Sequence, residues 1–171
     1  GGMGVLVLVT AVVSNIGDRS INILKAEMPG PTVGKLLPRS RDTAKVLYII
    51  YIALTFIQII LLRVGGMPLY DSIVHTFGTA GTGGFGIKNN SIASYSPYLQ
   101  WVITIFMILF GVNFNAYYFI LFGKVRKALG MEEVRWYLVI ILVSTVIIFG
   151  TLLDVYAPFE ALTHAAFQVG S

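Results

Sequence analysis

Hydrophobic positions in this chain gather into long uninterrupted runs rather than alternating with polar ones. The run Val46–Leu62, VLYIIYIALTFIQIILL, contains no charge. Tyr98–Phe122 and Trp136–Leu153 are of the same kind. Each is close to the ~20 residues that cross a hydrocarbon core, so each predicts a membrane-spanning helix. Gly4–Val13 is apolar but too short to span, and predicts the tail of a helix. Tyr48, Tyr98, Trp101, Tyr117, Tyr118, Trp136 and Tyr137 sit near the ends of these runs, where interfacial aromatics concentrate.

Shorter patterns lie between the spans. PLYDSIVHTFG has apolar residues at Leu69, Ile73, Val74 and Phe77, the spacing of a helix of two to three turns, with Pro68 suited to its first turn. SINILKAEM predicts a short amphipathic helix capped by Ser20, ended by MPGPT and lying along the inner membrane surface.

Charge supplies the orientation. Arg19, Lys25, Lys35, Arg39, Arg41 and Lys45 fall in Ser14–Lys45, and Lys124, Arg126, Lys127 and Arg135 in Lys124–Arg135. Val64–Pro97 has only Lys88, and no Lys or Arg follows Leu153. The positive-inside rule therefore places the two basic segments in the cytoplasm and Val64–Pro97 and Asp154–Ser171 outside. Arg63 closes its span and is expected to snorkel to the outer headgroups. The net charge of +4 belongs to these inner loops, and nothing in the pattern calls for nucleic acid.

Composition sets the class. Of 171 residues 56% are hydrophobic and 12% charged, and mean hydropathy is +0.81. So much apolar surface excludes a soluble domain of this length and implies an integral membrane protein in a lipid bilayer. Without cysteine there is no disulfide framework and no thiolate metal site. The chain begins inside an apolar run without an initiator Met and stops within a helical pattern, and is expected to be an internal fragment of a longer protein.

The halves repeat weakly. DSIVH, Asp71–His75, follows one span, and EALTH, Glu160–His164, follows another; a proline precedes each, Pro68 and Pro158. A repeated unit of span, short outer helix, polar loop and span is typical of transport proteins.

The loop TAGTGGFGIKNN, Thr79–Asn90, carries the candidate chemistry. Its Gly81, Gly83 and Gly86 spell G-x-G-x-x-G, but a dinucleotide site needs a preceding strand and a following helix, and neither is predicted. An ordinary glycine-rich outer loop is the plainer reading. A short helix followed by an irregular loop between two spans instead predicts a re-entrant pore loop, with backbone tolerated at membrane depth because it lines a cavity. Thr82–Gly86, T-G-G-F-G, has the rhythm of a potassium-channel filter, in which carbonyls replace the ion's hydration shell. Carbonyls of Thr82, Gly83 and Gly84 would bind potassium, the Thr82 hydroxyl would add an oxygen at the inner end, and Phe85 would pack outward as a brace. The C-terminus of the short helix would present its negative dipole end to the cation.

GGMGVLVL, AEMPGPT, KLLPRSRDTAK, GTGGFG and HAAFQVGS, which cover nearly the whole chain, resemble the Trk/Ktr/HKT superfamily of potassium transporters, in particular its bacterial TrkH-type subunits. The resemblance implies an all-α integral membrane protein of span–re-entrant pore loop–span repeats, potassium-channel-like, with four repeats around a central pore. Residues 1–13 would end the first repeat, 14–43 form a cytoplasmic connector, 44–123 a complete repeat, 124–135 a second connector, and 136–171 the start of the next repeat up to its pore helix. Gly84 is then the filter glycine, flanked by Thr82, Gly83 and Phe85. The implied function is potassium uptake across the bacterial inner membrane by a multi-pass, channel-like protein driven by membrane potential, with no enzyme activity and no cofactor beyond the transported ion. The implied partners are a second copy, as a homodimer, and a cytosolic nucleotide-binding regulatory subunit of the TrkA/KtrA type. A sodium-conducting or sodium-coupled member is the alternative, and a non-transport membrane subunit or membrane enzyme a more distant one.

Other polar residues have two readings each. His75 and His164 each follow an acid by four residues, on one helix face. Metal binding or proton relay is set against a structural role, which is preferred because no third ligand is visible. Asp71 either attracts cations to the mouth or complements the helix dipole. Asn113 and Asn115 lie inside a predicted span and are assigned to interhelical hydrogen bonding over direct ion contact, with Gly111 permitting a bend.

Overall fold

The structure, a computed structural model, describes residues 40–171, with side chains from residue 45 onward. The predicted helix tail at Gly4–Val13, the SINILKAEM helix and most of the 14–43 connector lie outside the described residues. Within them every regular element is a helix: α1 Ser40–Val64, α2 Leu69–Ala80, α3 Pro97–Gly111, α4 Phe114–Leu121, α5 Val125–Leu129, α6 Glu132–Leu152 and α7 Pro158–Gly170. By length and composition α1, from Lys45, and α6 are each able to cross a membrane. The all-α membrane class expected from the sequence is the one observed.

The described residues form two compact units. One contains those through Ala53 with Asn113–Arg135; the other contains Leu54–Val112 with Trp136–Ser171. In the second, α3 packs against both α2 and α7. Its interior is partly polar: Thr55, Gln58, Ser72, His75, Thr76, Thr79, Thr104 and Thr163 are buried, while Phe56, Ile60, Phe77, Ile140 and Ile147 are exposed. That is the polarity of a chain whose surroundings are apolar. The hydroxyls are satisfied within their own helices. Thr76 Oγ1 donates to the Ser72 carbonyl at 2.7 Å, Thr79 to His75 at 2.7 Å, Thr104 to Gln100 at 2.8 Å and Thr163 to Phe159 at 2.9 Å.

The third predicted span differs from expectation. Tyr98–Phe122 is not one continuous helix. α3 stops at Gly111, Val112 is extended (φ −68, ψ 143), and α4 starts after Asn113. Each side of the break finds partners for the polar groups it frees. In the second unit the Tyr137 hydroxyl donates to the Ile108 carbonyl at 3.0 Å, a carbonyl of the last turn of α3. A Cβ on Gly111 would collide with that hydroxyl, so the glycine makes room for the phenol. In the first unit the Asn113 side chain accepts from the Asn115 amide at 2.9 Å, an N-cap of α4. It also donates to Glu133 Oε2 at 2.9 Å. Interhelical hydrogen bonding is therefore the role seen for Asn113. Asn115 is buried, and its Oδ1 has no hydrogen-bond partner among the described residues.

Candidate functional site

The predicted short helix is α2, entered from Pro68 (φ −55, ψ 148), with Asp71 in its first turn. Its apolar residues do not form the buried face that their spacing suggests. Leu69, Tyr70 and Phe77 are exposed, and Ser72, His75, Thr76, Thr79 and Ala80 are buried. The polar face of α2 thus lies inward, packed in the unit that holds α3.

The glycine-rich loop begins as the cap of α2. Gly81 is the C-cap, the Thr82 amide donates to the Thr79 carbonyl at 2.8 Å, and the Gly83 amide donates to Gly78 at 3.0 Å. This is the bonding of a Schellman motif, in which the residue after the cap is left-handed and is usually glycine. Here it is Thr82, with φ +51. A β-branched residue in that region is a true outlier and costs about 1–2 kcal/mol. Its hydroxyl donates to the Gly81 carbonyl at 2.8 Å. Gly84 is also left-handed, with φ +67.

From Gly83 to Gly86 the backbone has no regular structure, and Thr82, Gly83, Gly84 and Gly86 are partly exposed. Ser91, itself at φ +54, approaches the Gly84 carbonyl with its hydroxyl at 3.4 Å. Phe85 is 70% exposed, and its ring lies against the Cα of Gly83, where a Cβ would collide with it. The structure therefore brings Thr82, Gly83, Gly84 and Phe85 into one irregular loop at the C-terminus of α2. Phe85 covers the neighbouring glycine instead of being packed into the surrounding helices.

α7 repeats α2. Thr163 and His164 occupy the places of Val74 and His75, and Ser171 stands seven residues after His164, as Thr82 does after His75. Ser171 lies against Gly84, so that a Cβ on Gly84 would collide with the Ser171 Cβ and approach its Oγ to 3.0 Å. The end of α7 and the loop after α2 thus meet at the glycine that the sequence singles out. Beside them is a cleft of about 470 Å³ lined in part by Thr82, Gly111, Tyr137, Ser144 and Ser171.

Behind the loop, His75 Nδ1 is 2.8 Å from the Asp71 carbonyl, while the Asp71 carboxylate accepts from the Tyr95 hydroxyl at 2.8 Å. Tyr95 meets the His75 ring edge-on at 5.3 Å, and Lys88 Nζ lies 4.3 Å above the Tyr95 ring. Burial, then the hydrogen bond to Asp71 and its negative charge, pushes the Tyr95 phenol up to about 12. Tyr95, Lys88 and Ser91 carry no pattern in the sequence that marks them, and only the fold brings them to α2. Among the described residues no group of His, Cys, Asp or Glu is placed to hold a metal ion, and His164 pairs with the Tyr156 ring at 5.0 Å.

Comparison with known proteins supplies the context. A family model described as a cation transport protein, TrkH, matches residues 1–166. The Trk system potassium uptake protein TrkH of Salmonella typhimurium is 33% identical over all of this chain and 37% of its own length. The Trk system potassium uptake protein TrkG of Escherichia coli is 38% identical over 83% of this chain and 30% of its own length. The crystal structure of the potassium transporter TrkH from Vibrio parahaemolyticus superposes with a TM-score of 0.72 at 27% identity, over 98% of this chain and 34% of that one. The chain thus spans about a third of the length of these relatives.

Proposed function

The chain belongs to the TrkH cation transport family, and we propose that it contributes one full span–pore loop–span repeat, residues 44–123, and the beginning of the next, residues 136–171, to a potassium uptake protein. The connectors 14–43 and 124–135 face the cytoplasm and residues 1–13 close a preceding repeat. In this reading Thr82, Gly83 and Gly84 present their carbonyls to a partly dehydrated potassium ion, which enters from outside, passes the loop and leaves inward down the membrane potential. The C-terminus of α2 adds the negative end of its dipole. No covalent bond is made or broken, and the chain is not an enzyme.

The observation that carries this reading is the meeting of Gly84 with Ser171. A filter shared among repeats requires the pore segments of neighbouring repeats to approach one another, and Ser171 ends the short helix of the next repeat. The left-handed Thr82 and Gly84 support it, since irregular, conformationally demanding backbone is characteristic of ion-binding and other functional loops. The cellular setting that fits is a bacterial inner membrane, with a homodimeric transporter and a cytosolic nucleotide-binding regulatory subunit of the TrkA/KtrA type on the side of α5. The exposed Lys124, Arg126 and Lys127 suit that inner side.

Gly84→Asp in the intact transporter tests it. The change adds a side chain at φ +67, drives it into Ser171 and places a fixed charge at the coordinating backbone. Growth at low potassium of cells without other uptake systems is expected to be lost at normal protein abundance. Unchanged uptake by this variant would remove Gly84 from the ion path.

A further inference from the structure

We infer that His75 is a positioning residue for the ion-coordinating loop, holding Gly84–Gly86 in place from behind through contact with Gly86. This rests on the filter reading above and assigns a job to a histidine that the reading leaves unused.

The ring is fixed in three ways. A backbone carbonyl only accepts, so the 2.8 Å contact with Asp71 requires the hydrogen on Nδ1, which sets the tautomer. The edge-on Tyr95 ring fixes its tilt, and Tyr95 is itself anchored by the Asp71 carboxylate. Burial removes the remaining freedom, since the residue is 3% exposed. Nε2 is buried, and no donor among the described residues reaches it. That edge of the ring points at Gly86. A Cβ there would sit 2.7 Å from Nε2, and 3.1 and 3.2 Å from the backbone carbon and oxygen of Ser91. Gly86 is therefore closed in between a pinned imidazole and the Ser91 backbone, two residues beyond the coordinating Gly84.

α7 carries a partial counterpart. His164 also carries a tyrosine ring, Tyr156, and stands at the same distance in sequence from Ser171 as His75 does from Thr82. The groups around His75 leave metal ligation without support: the Asp71 carboxylate is engaged by Tyr95, and the Lys88 ammonium is above that same ring.

The test compares potassium and sodium uptake in the intact transporter for Gly84→Asp, His75→Ala, Gly86→Ala and the double variant His75→Ala/Gly86→Ala, each normalised to protein in the membrane. Displacements of order 1 Å in preorganised sites cost about 10²-fold, so a partial relaxation of the loop is expected to lower the potassium-to-sodium ratio roughly tenfold in His75→Ala. Gly86→Ala should lose more, and removing the imidazole in the double variant should recover part of that loss. A purely structural histidine would lower protein abundance and leave the ratio alone. An unchanged ratio in His75→Ala at normal abundance overturns the inference. Where that variant does not accumulate, an unchanged ratio in Gly86→Ala does so. Loss of uptake in Gly84→Asp separates this failure from failure of the filter reading, which would leave Gly84→Asp active.

Discussion

The break between α3 and α4 offers the clearest energetic test, because Asn113 performs two separable tasks there. Its Oδ1 caps α4 at the Asn115 amide, and its Nδ2 donates to Glu133, both at 2.9 Å. Losing an N-cap costs about 1 kcal/mol, and losing a hydrogen bond to a charged group about 1.5–3 kcal/mol. Asn113→Ala removes both and should cost roughly 2.5–4 kcal/mol. Asn113→Ser keeps a capping oxygen but does not reach Glu133, so it should cost about 1 kcal/mol less than Asn113→Ala. Asn113→Asp keeps the cap but sets a carboxylate against Glu133, and should be at least as costly as Asn113→Ala. Glu133→Gln added to Asn113→Asp reverses donor and acceptor around one remaining charge, and should recover most of the loss. Unfolding of the purified transporter by SDS titration in mixed micelles supplies the free energies for a double-mutant cycle. The expected coupling between positions 113 and 133 is about 1.5–3 kcal/mol. A coupling below about 0.5 kcal/mol, the scatter of independent sites, would refute the account of the break.

Three further outcomes follow from the local geometry. Thr82→Gly relieves a left-handed β-branched residue and should raise stability by about 1 kcal/mol in the same titration while lowering potassium selectivity in uptake assays, since the hydroxyl is lost. Gly111→Ala pushes a methyl group into the Tyr137 hydroxyl; adding Tyr137→Phe should restore part of the lost stability, the orphaned Ile108 carbonyl reducing the recovery by the ~0.6 kcal/mol that a hydrogen bond inside a membrane contributes. Tyr95 has a raised folded pKa, so its contribution is complete below the unfolded value near 10 and is lost as pH rises toward about 12. Uptake by wild type and Tyr95→Phe should therefore differ by a constant factor from pH 6 to 9, and a difference that grows within that window would contradict the assignment.

The spans were readable because apolar continuity is a strong, local signal. Val46–Leu62 falls within α1 and Trp136–Leu153 matches α6 to within a few residues. The interruption of Tyr98–Phe122 was less readable, since Gly111 and Asn113 are tolerated inside spanning helices; the overlooked cue was Asn113 as an N-cap immediately before FNAYYFIL. For α2 the helix was legible and its facing was not. Apolar periodicity marks the buried side only where the surroundings are water, and here Leu69 and Phe77 are exposed while Thr76 and Thr79 are buried. The loop's glycines marked the candidate site, yet the participation of Tyr95, Lys88 and Ser91 depends on the return of the chain from residue 88 to 95 over α2, which no local pattern encodes.

That return segment bears on why the loop holds an unfavourable shape at all. Thr82 and Ser91 are left-handed without being glycine, at φ +51 and +54, and they flank Gly83–Gly86 on both sides. Each costs on the order of 1–2 kcal/mol, and such residues persist only where their surroundings over-determine them. At Thr82 the determinant is the Schellman pair of bonds to Gly78 and Thr79. At Ser91 it is the turn whose amide donates to the Lys88 carbonyl at 2.9 Å, with Lys88 held above Tyr95 and Tyr95 held by Asp71. Both anchors end on α2, one at its C-terminus and one in its first turn. A loop pinned at both ends to a single rigid helix is free to place glycines, which contribute no packing of their own, where backbone oxygens are needed. In the proposed filter, flexible residues would form the coordinating surface, while the rigidity that selectivity demands would come from the helix behind it.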